Sequence, residues 1–256
     1  MLPSTPFSLP LVTSTARNTC CLAVSTCLFL APPMLAADQK QQLEELRPKI
    51  GNEWQLVKHD KHRHIKTYTK LEDNQRIRSF KVEGHIRAKA DTVVRVLLDF
   101  DNYKNWYWEV AESRLIKQVS PTEYYIYLVH RAPYGIPSRD VILHAIVEPQ
   151  TPSQNYVLLK VKAAPNMLPT QPNLVRMPAE NMTIKFIPLP QQVMKIEAEG
   201  FIDPGGKVPA WDANLIQRNA PYAVTLGLQR MVLQERYSQS RSELPFPIYD
   251  YDNLPQ

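Results

Sequence analysis

Three histidines in the first quarter of the chain come nearest, in type and spacing, to a metal site. His62 and His64 would lie on one face of a strand, as zinc ligands sometimes do, and His59 and Asp60 precede them. Four lysine and arginine residues are interleaved with this cluster, a pattern typical of a solvated basic edge. We therefore favour the basic edge over the metal site, and we expect no metal and no cofactor.

Covalent catalysis would need an activated nucleophile, and the sequence shows none in a recognised setting. It contains no Gly-x-Ser-x-Gly elbow, and its only cysteines are Cys20, Cys21 and Cys27 near the N-terminus. His130 and His144 lie on predicted strands, where either could be a general base, but neither has a partner at a readable spacing. We therefore predict that the protein is not an enzyme.

Residues 1–37 have the features of a secretory signal peptide. A lone Arg17 precedes an apolar run at 20–35, and small residues follow it before the chain becomes polar at Asp38. The run is interrupted by two prolines and is short for a membrane span. We predict cleavage near Ala37 and secretion to the periplasm, with lipidation at a cysteine and an uncleaved anchor as the alternatives.

The charge balance argues against a nucleic-acid partner. The formal net charge is only +5, and no basic run with interleaved aromatic residues occurs. A mildly basic surface would still favour transient contact with anionic membranes. We expect a monomer with no nucleic-acid partner.

The middle of the chain reads as many strands with few helices between them. Apolar residues recur at helical spacing over 90–100, with a short aromatic-rich helical piece after them. Strands are predicted at 54–57, 64–69, 76–86, 114–119, 123–130, 139–148, 156–163, 182–187 and 192–202. Gly84 is assigned to a β-bulge. Consecutive strands joined by short turns predict an antiparallel sheet of the α+β class.

A long apolar helix is predicted near the C-terminus, at 209–237. A turn at Pro204-Gly205-Gly206 precedes it, and Pro209 suits its first turn. Apolar side chains recur at helical spacing until the second half is apolar almost all round, so the helix must lie across another apolar surface. Pro221 lies inside it and is expected to bend it. We predict a loose tail at 238–256.

Four local motifs, in this order and spacing, resemble the START lipid-transfer domain of the helix-grip, Bet v 1-like superfamily. They are Phe100-Asp-Asn-Tyr-Lys-Asn-Trp106, Pro137-Ser-Arg139-Asp140, the Gly205-Gly206 to Asn214 entry to the last helix, and the proline inside that helix. The resemblance covers about 52–237, the core of a domain at 38–237. It implies a curved antiparallel sheet wrapped around the long C-terminal helix, with a hydrophobic tunnel between them.

The resemblance also implies where a ligand would lie. The C-terminal helix and the loop 132–138 would form the lid of the tunnel. The candidate ligand-binding residues are Trp106, Tyr127, Arg131, Tyr134, Arg139, Asp140, Trp211, Leu215, Tyr222 and Leu226. For Arg139 and Asp140 a structural ion pair or turn cap is the alternative, and for Trp106 it is core packing. Some family members place an acid and a base in the tunnel, where this chain has Arg131 and Ala145; that departure argues against a sterol.

By this resemblance the protein would be a non-catalytic carrier that binds one lipid or other hydrophobic molecule and transfers or presents it. Each methylene kept from water is worth about 0.8 kcal/mol, so a long acyl chain needs an enclosed tunnel to cross water. The alternatives are a helix-grip enzyme of the cyclase or hydrolase type and an interaction scaffold. A paired histidine and carboxylate at the end of the tunnel would favour the enzyme, and a filled cavity would favour the scaffold.

Overall fold

The computed structural model describes residues 53–71, 76–132 and 135–255, with the backbone alone at Trp211 and Asp212. These residues belong to a single compact unit, Lys49–Gln256. The predicted signal peptide lies outside the described residues, as does the residue at position 134.

The described strands form one sheet, as the alternating apolar pattern predicts. They are β1 (Gln55–Asp60), β2 (Ile65–Lys70), β3 (Ser79–Arg87), β4 (Val110–Ser120), β5 (Glu123–His130), β6 (Arg139–Glu148), β7 (Val157–Ala163), β8 (Val175–Arg176), β9 (Ala179–Leu189) and β10 (Val193–Asp203). Their spatial order is β1-β2-β3-β10-β9-β7-β6-β5-β4, and the neighbours run antiparallel. The short β8 pairs with the start of β6 in parallel.

Three α-helices and two short 3-10 helices complete the described chain. Helix α1 spans Ala90–Leu98, α2 spans Ala210–Met231 and α3 spans Glu235–Ser238. The 3-10 helices are Phe100–Asn105 and Tyr251–Asn253. The predicted C-terminal helix is therefore shorter than expected, because the chain leaves helical conformation after Met231 and resumes only at Glu235. None of the helices in the described residues has the length and apolarity to cross a membrane.

Two glycines bring α2 close to the rest of the molecule. The pairing of β3 with β10 runs through Gly84 without a register shift, and Gly84 also pairs with Ile65 at the start of β2, so the predicted bulge is wrong. A Cβ at Gly84 would instead come within 2.8 Å of the Thr225 methyl group on α2. A Cβ at Gly227 would collide with the main-chain carbonyl of Trp106. Both glycines therefore serve close packing of α2, one on the sheet and one on the segment after α1.

The segment 239–255, which we call the C-terminal strap, differs from the predicted loose tail. Phe246 is 6% exposed and belongs to the core. The side chain of Gln150 donates to the Tyr249 carbonyl and accepts from the Tyr249 amide, both at 2.9 Å. Asp250 accepts a hydrogen bond from the amide of Ala90, the first residue of α1, at 2.8 Å. The strap is thus anchored through main-chain hydrogen bonds that its polar composition alone does not predict.

Candidate ligand-binding site

A cavity of about 540 Å³ lies between α1, α2 and the sheet. This volume is in the range of pockets that hold small-molecule ligands. The sheet contributes alternate residues to the lining, such as Leu143, Ala145 and Val147 on β6. We call the sheet face that carries them the inner face.

Strand register divides the cavity into two ends. His130 pairs with Arg139 across β5 and β6, and Glu180 pairs with Ile202 across β9 and β10. All four residues line the cavity toward the same end of the sheet, which we call the polar end. At the opposite end the lining comes from apolar side chains of the sheet, α1 and the strap, among them Tyr124, Val157, Phe186, Met194, Val93 and Phe246. We call this the apolar end.

The charge in the cavity lining is confined to one end. Among the described residues that line the cavity, the ionisable acid, base and imidazole groups belong to Glu109, His130, Arg131, Arg139 and Glu180. Glu109 directly precedes Val110, which pairs with His130, so it also lies at the polar end. The cavity is therefore amphipathic along its length, as a site for a molecule with an apolar tail and a polar group would be.

His130 presents a hydrogen-bond acceptor to the polar end. Its Nδ1 lies 3.0 Å from the carbonyl oxygen of Trp108, and a carbonyl can only accept. The hydrogen therefore sits on Nδ1, which leaves Nε2 of the neutral ring as an acceptor. Burial lowers the pKa of His130, so the neutral ring is favoured at neutral pH.

Glu180 is the most buried of these charged groups. It is 4% exposed, and its carboxyl group has no hydrogen-bond or ion-pair partner among the described residues. Burial raises the pKa of Glu180 to about 7. Burial raises the pKa of the Tyr107 hydroxyl, and the charge of the nearby Glu180 carboxyl group raises it further.

Sequence reasoning missed Glu180. In isolation, Ala179-Glu180-Asn181 reads as the polar start of a strand. The available signal was the period of two, since Glu180 is in phase with Met182, Ile184 and Phe186, which line the cavity. A carboxyl group in that phase must face the inner side of the sheet.

Of the predicted ligand-binding residues, Trp106, Arg131, Arg139 and Leu215 line the cavity. Each arginine also donates to a main-chain carbonyl, Arg131 to Val110 at 3.0 Å and Arg139 to Pro137. Leu215 is 42% exposed although it lines the cavity, which places it at an opening.

Tyr127 and Asp140 are corrected, because they lie away from the cavity. Asp140 is fully buried and forms an ion pair with Arg176, its Oδ2 lying 2.8 Å from Nη2. The Tyr127 hydroxyl donates to the same carboxylate at 3.2 Å. Strand alternation explains the error, because Tyr127 falls between Ile126 and Leu128 and its neighbour Ile126 faces the cavity instead. The ion pair proposed as the alternative for Asp140 exists, but with Arg176 in place of Arg139.

Tyr222 and Leu226 are also corrected, because they lie one turn apart on a side of α2 that does not line the cavity. The Tyr222 hydroxyl donates to Asp60 at 2.8 Å, and the ammonium of Lys58 lies 3.4 Å from the Tyr222 ring centroid. Tyr134 lies outside the described residues, and at Trp211 the structure describes only the backbone.

The remaining histidines lie outside the cavity. His144 and Glu123 are paired at 2.7 Å, and the His144 ring stacks on Tyr125 with centroids 4.5 Å apart. His144 alternates with the lining residues Leu143 and Ala145, so it belongs to the outer face of the sheet. Among the described residues, no cluster of three histidine, cysteine or acidic side chains could hold a metal ion.

No protein-family model matches the chain. Its sequence is similar to that of an uncharacterized protein of Pseudomonas aeruginosa, 24% identical over 180 residues that make up 70% of this chain and 87% of that protein. Its structure is similar to a STAR-related lipid transfer protein of Xanthomonas axonopodis, with 29% sequence identity and a TM-score of 0.64 over 71% of this chain and 99% of that one. It is also similar to human STARD10, with 21% identity and a TM-score of 0.60 over 79% of this chain and 80% of that one.

Proposed function

We propose that this chain, a START domain protein of the helix-grip type, binds one lipid or other hydrophobic molecule in its cavity and transfers or presents it without chemical change. The observation that carries the proposal is the division of the cavity into a polar end and an apolar end. An apolar tail would lie between α1, the sheet and the strap. A polar group would lie beside His130 and Glu180.

The size and lining of the cavity suit this role. A volume of about 540 Å³ has room for one long apolar chain, and most of the lining residues are apolar. Each buried methylene contributes about 0.8 kcal/mol, so transfer of a long tail from water into this lining is strongly favourable.

Entry and exit would occur at the polar end. Ile136 in the loop 132–138 and Leu215 on α2 both line the cavity, yet they are 37% and 42% exposed. Exposed apolar side chains on the two borders of an opening suit transient contact with a membrane surface. The first half of α2 and this loop would then act as the gate, moving on the microsecond to millisecond scale typical of lids.

A catalytic role has less support from the site. The paired histidine and carboxylate, His144 and Glu123, lie on the outer face. At the polar end, His130 uses Nδ1 to hold the Trp108 carbonyl, and Glu180 makes no hydrogen bond to it in the described structure. We therefore propose binding and transfer, with chemistry in the cavity as the alternative.

Native mass spectrometry of the protein purified from its own host would test this proposal first. One co-purified lipid per chain is expected, and it should be absent from a variant whose cavity is filled. Ala145→Phe fills the cavity, and Ile146→Phe, on the adjacent position of the outer face, is the matched control. A wild-type protein that carries no lipid, and takes up none from vesicles, would refute the proposal.

We also propose that the N-terminal segment directs export. Cell fractionation would show in which compartment the full chain and a version without residues 1–37 are found. Recovery of the full chain in the cytoplasm, with its N-terminus intact, would argue against export.

A further inference from the structure

The Glu180 side chain is buried, and its carboxyl group has no hydrogen-bond or ion-pair partner among residues 53–71, 76–132 and 135–255. Its position on β9 faces the cavity, and it is opposite Ile202 of β10. Neither of these strands, nor α2, supplies a hydrogen-bond donor to its carboxyl group in the described part of the chain. The Glu180 oxygens border the cavity, where an unpaired carboxyl group is costly, and buried polar groups are usually satisfied. A donor from a bound molecule would remove that cost.

The other polar groups that line the cavity include donors as well as acceptors, because Trp106 Nε1 is buried with no hydrogen-bond partner among the described residues and each arginine has five N–H groups. Arg131 and Arg139 each donate to a main-chain carbonyl, and the only N–H of the neutral His130 ring donates to Trp108. His130 Nε2 has no hydrogen-bond partner among the described residues. Two acceptors, a carboxyl oxygen and an imidazole nitrogen, therefore line the polar end of the cavity.

We propose that Glu180 determines ligand specificity, by accepting a hydrogen bond from a hydroxyl or amine group at the polar end of the bound lipid. This inference rests on the proposed carrier function and adds the chemical class of its ligand. The pKa of Glu180, raised by burial to about 7, is in keeping with a carboxyl group that has no cationic partner in the described part of the chain.

Four probes with the same apolar chain would test the inference on the delipidated full-length protein at neutral pH. They are hexadecanol, hexadecylamine, hexadecyl methyl ether and hexadecane. Binding would be followed by the fluorescence of Trp106 and Trp108, which line the cavity. The wild-type protein is expected to bind the alcohol or the amine about tenfold more tightly than the ether, since the ether lacks the donor. The alcohol and the amine distinguish a neutral from a cationic donor.

Two variants assign the preference to one side chain. Glu180→Leu should bind all four probes alike, whereas Glu199→Leu, at an exposed position of β10, should keep the preference. A wild-type protein that binds the ether as tightly as the alcohol and the amine, or a preference that survives in Glu180→Leu, would overturn the role of Glu180 and leave the carrier proposal standing. Failure of the wild type to bind any probe would overturn both.

If Glu180→Leu does not fold, an infrared measurement tests the hydrogen bond from the ligand to Glu180 directly. At about pH 5 the Glu180 carboxyl is protonated, and its carbonyl stretch can be assigned by its loss in Glu180→Gln. Hexadecanol should shift this band to lower wavenumber, and the methyl ether should not. An unshifted band with the alcohol bound would overturn the inference.

Discussion

Replacement of Glu180 by glutamine measures how much a carboxyl group without a partner destabilises the empty cavity. Burial raises the pKa of Glu180 from 4.5 to about 7 in the folded protein. Between these two values the folded state binds more protons than the unfolded state. The free energy of unfolding therefore falls as the pH rises through this window. At about 1.4 kcal/mol per pKa unit, the total fall attributable to Glu180 is about 3 kcal/mol.

Urea denaturation of the delipidated wild type and of Glu180→Gln, at about pH 4 and about pH 8, would give the four free energies required. The glutamine does not titrate, so its own burial cost is the same at both values. The free energy of unfolding of the variant, relative to wild type, should therefore rise by about 3 kcal/mol from the lower to the higher pH. Other titrating groups are common to both proteins and cancel.

Glu199→Gln is the matched control, because this glutamate is exposed on the neighbouring strand. It makes the same chemical change at a position without burial. A relative stability of Glu180→Gln that is the same at both pH values would refute the reasoning. It would mean that the Glu180 carboxyl reaches water or a partner in the empty protein.

Three further substitutions test other parts of the fold. Gly227→Ala should lower the free energy of unfolding, measured by urea denaturation, by about 1 to 2 kcal/mol. The added methyl group would overpack on the Trp106 carbonyl, and this cost outweighs the gain in helix propensity. An unchanged or higher free energy of unfolding would contradict the close approach of α2 to Trp106. Phe246→Ala should lower the free energy of unfolding by about 3 to 5 kcal/mol. It should weaken binding of the longest alkyl probes most, because it opens the apolar end of the cavity. Equal weakening for all chain lengths would place the ligand's tail elsewhere. Asp140→Asn should lower the free energy of unfolding by about 3 to 5 kcal/mol in thermal denaturation, because Arg176 loses its buried charged partner. The affinity for the alkyl probes should stay unchanged. A loss of affinity would show that Asp140 belongs to the ligand-binding site.

Much of the fold could be predicted from the alternation of apolar residues. The bounds predicted for β5 and β6 are those observed, since each strand carries an uninterrupted pattern between clear turns. The C-terminal helix was found from its period, but its break after Met231 was not, since apolar residues continue past it. The role of Gly84 depends on how close α2 lies to the sheet, and no local pattern encodes that distance.

The site was harder to predict than the fold. Motif resemblance selected residues near the loop 132–138, and it grouped Asp140 with Arg139 because they are adjacent in sequence. Adjacent residues in a strand face opposite sides, so only one of the two could line the cavity. Glu180 lies in no motif, and its importance depends on the absence of a partner, which is a property of the packed molecule.

The strand order also has a consequence for biosynthesis. Strand β10 lies between β3 and β9, and it alone joins the first three strands to the other five of the main path. Because β10 is translated after all of them, the emerging chain holds two separate part-sheets with unpaired edges until β10 leaves the ribosome. Helix α2 and the strap, which cover the apolar interior, follow later still. The protein should therefore depend on assistance during synthesis, and ligand loading should begin only after translation of the strap.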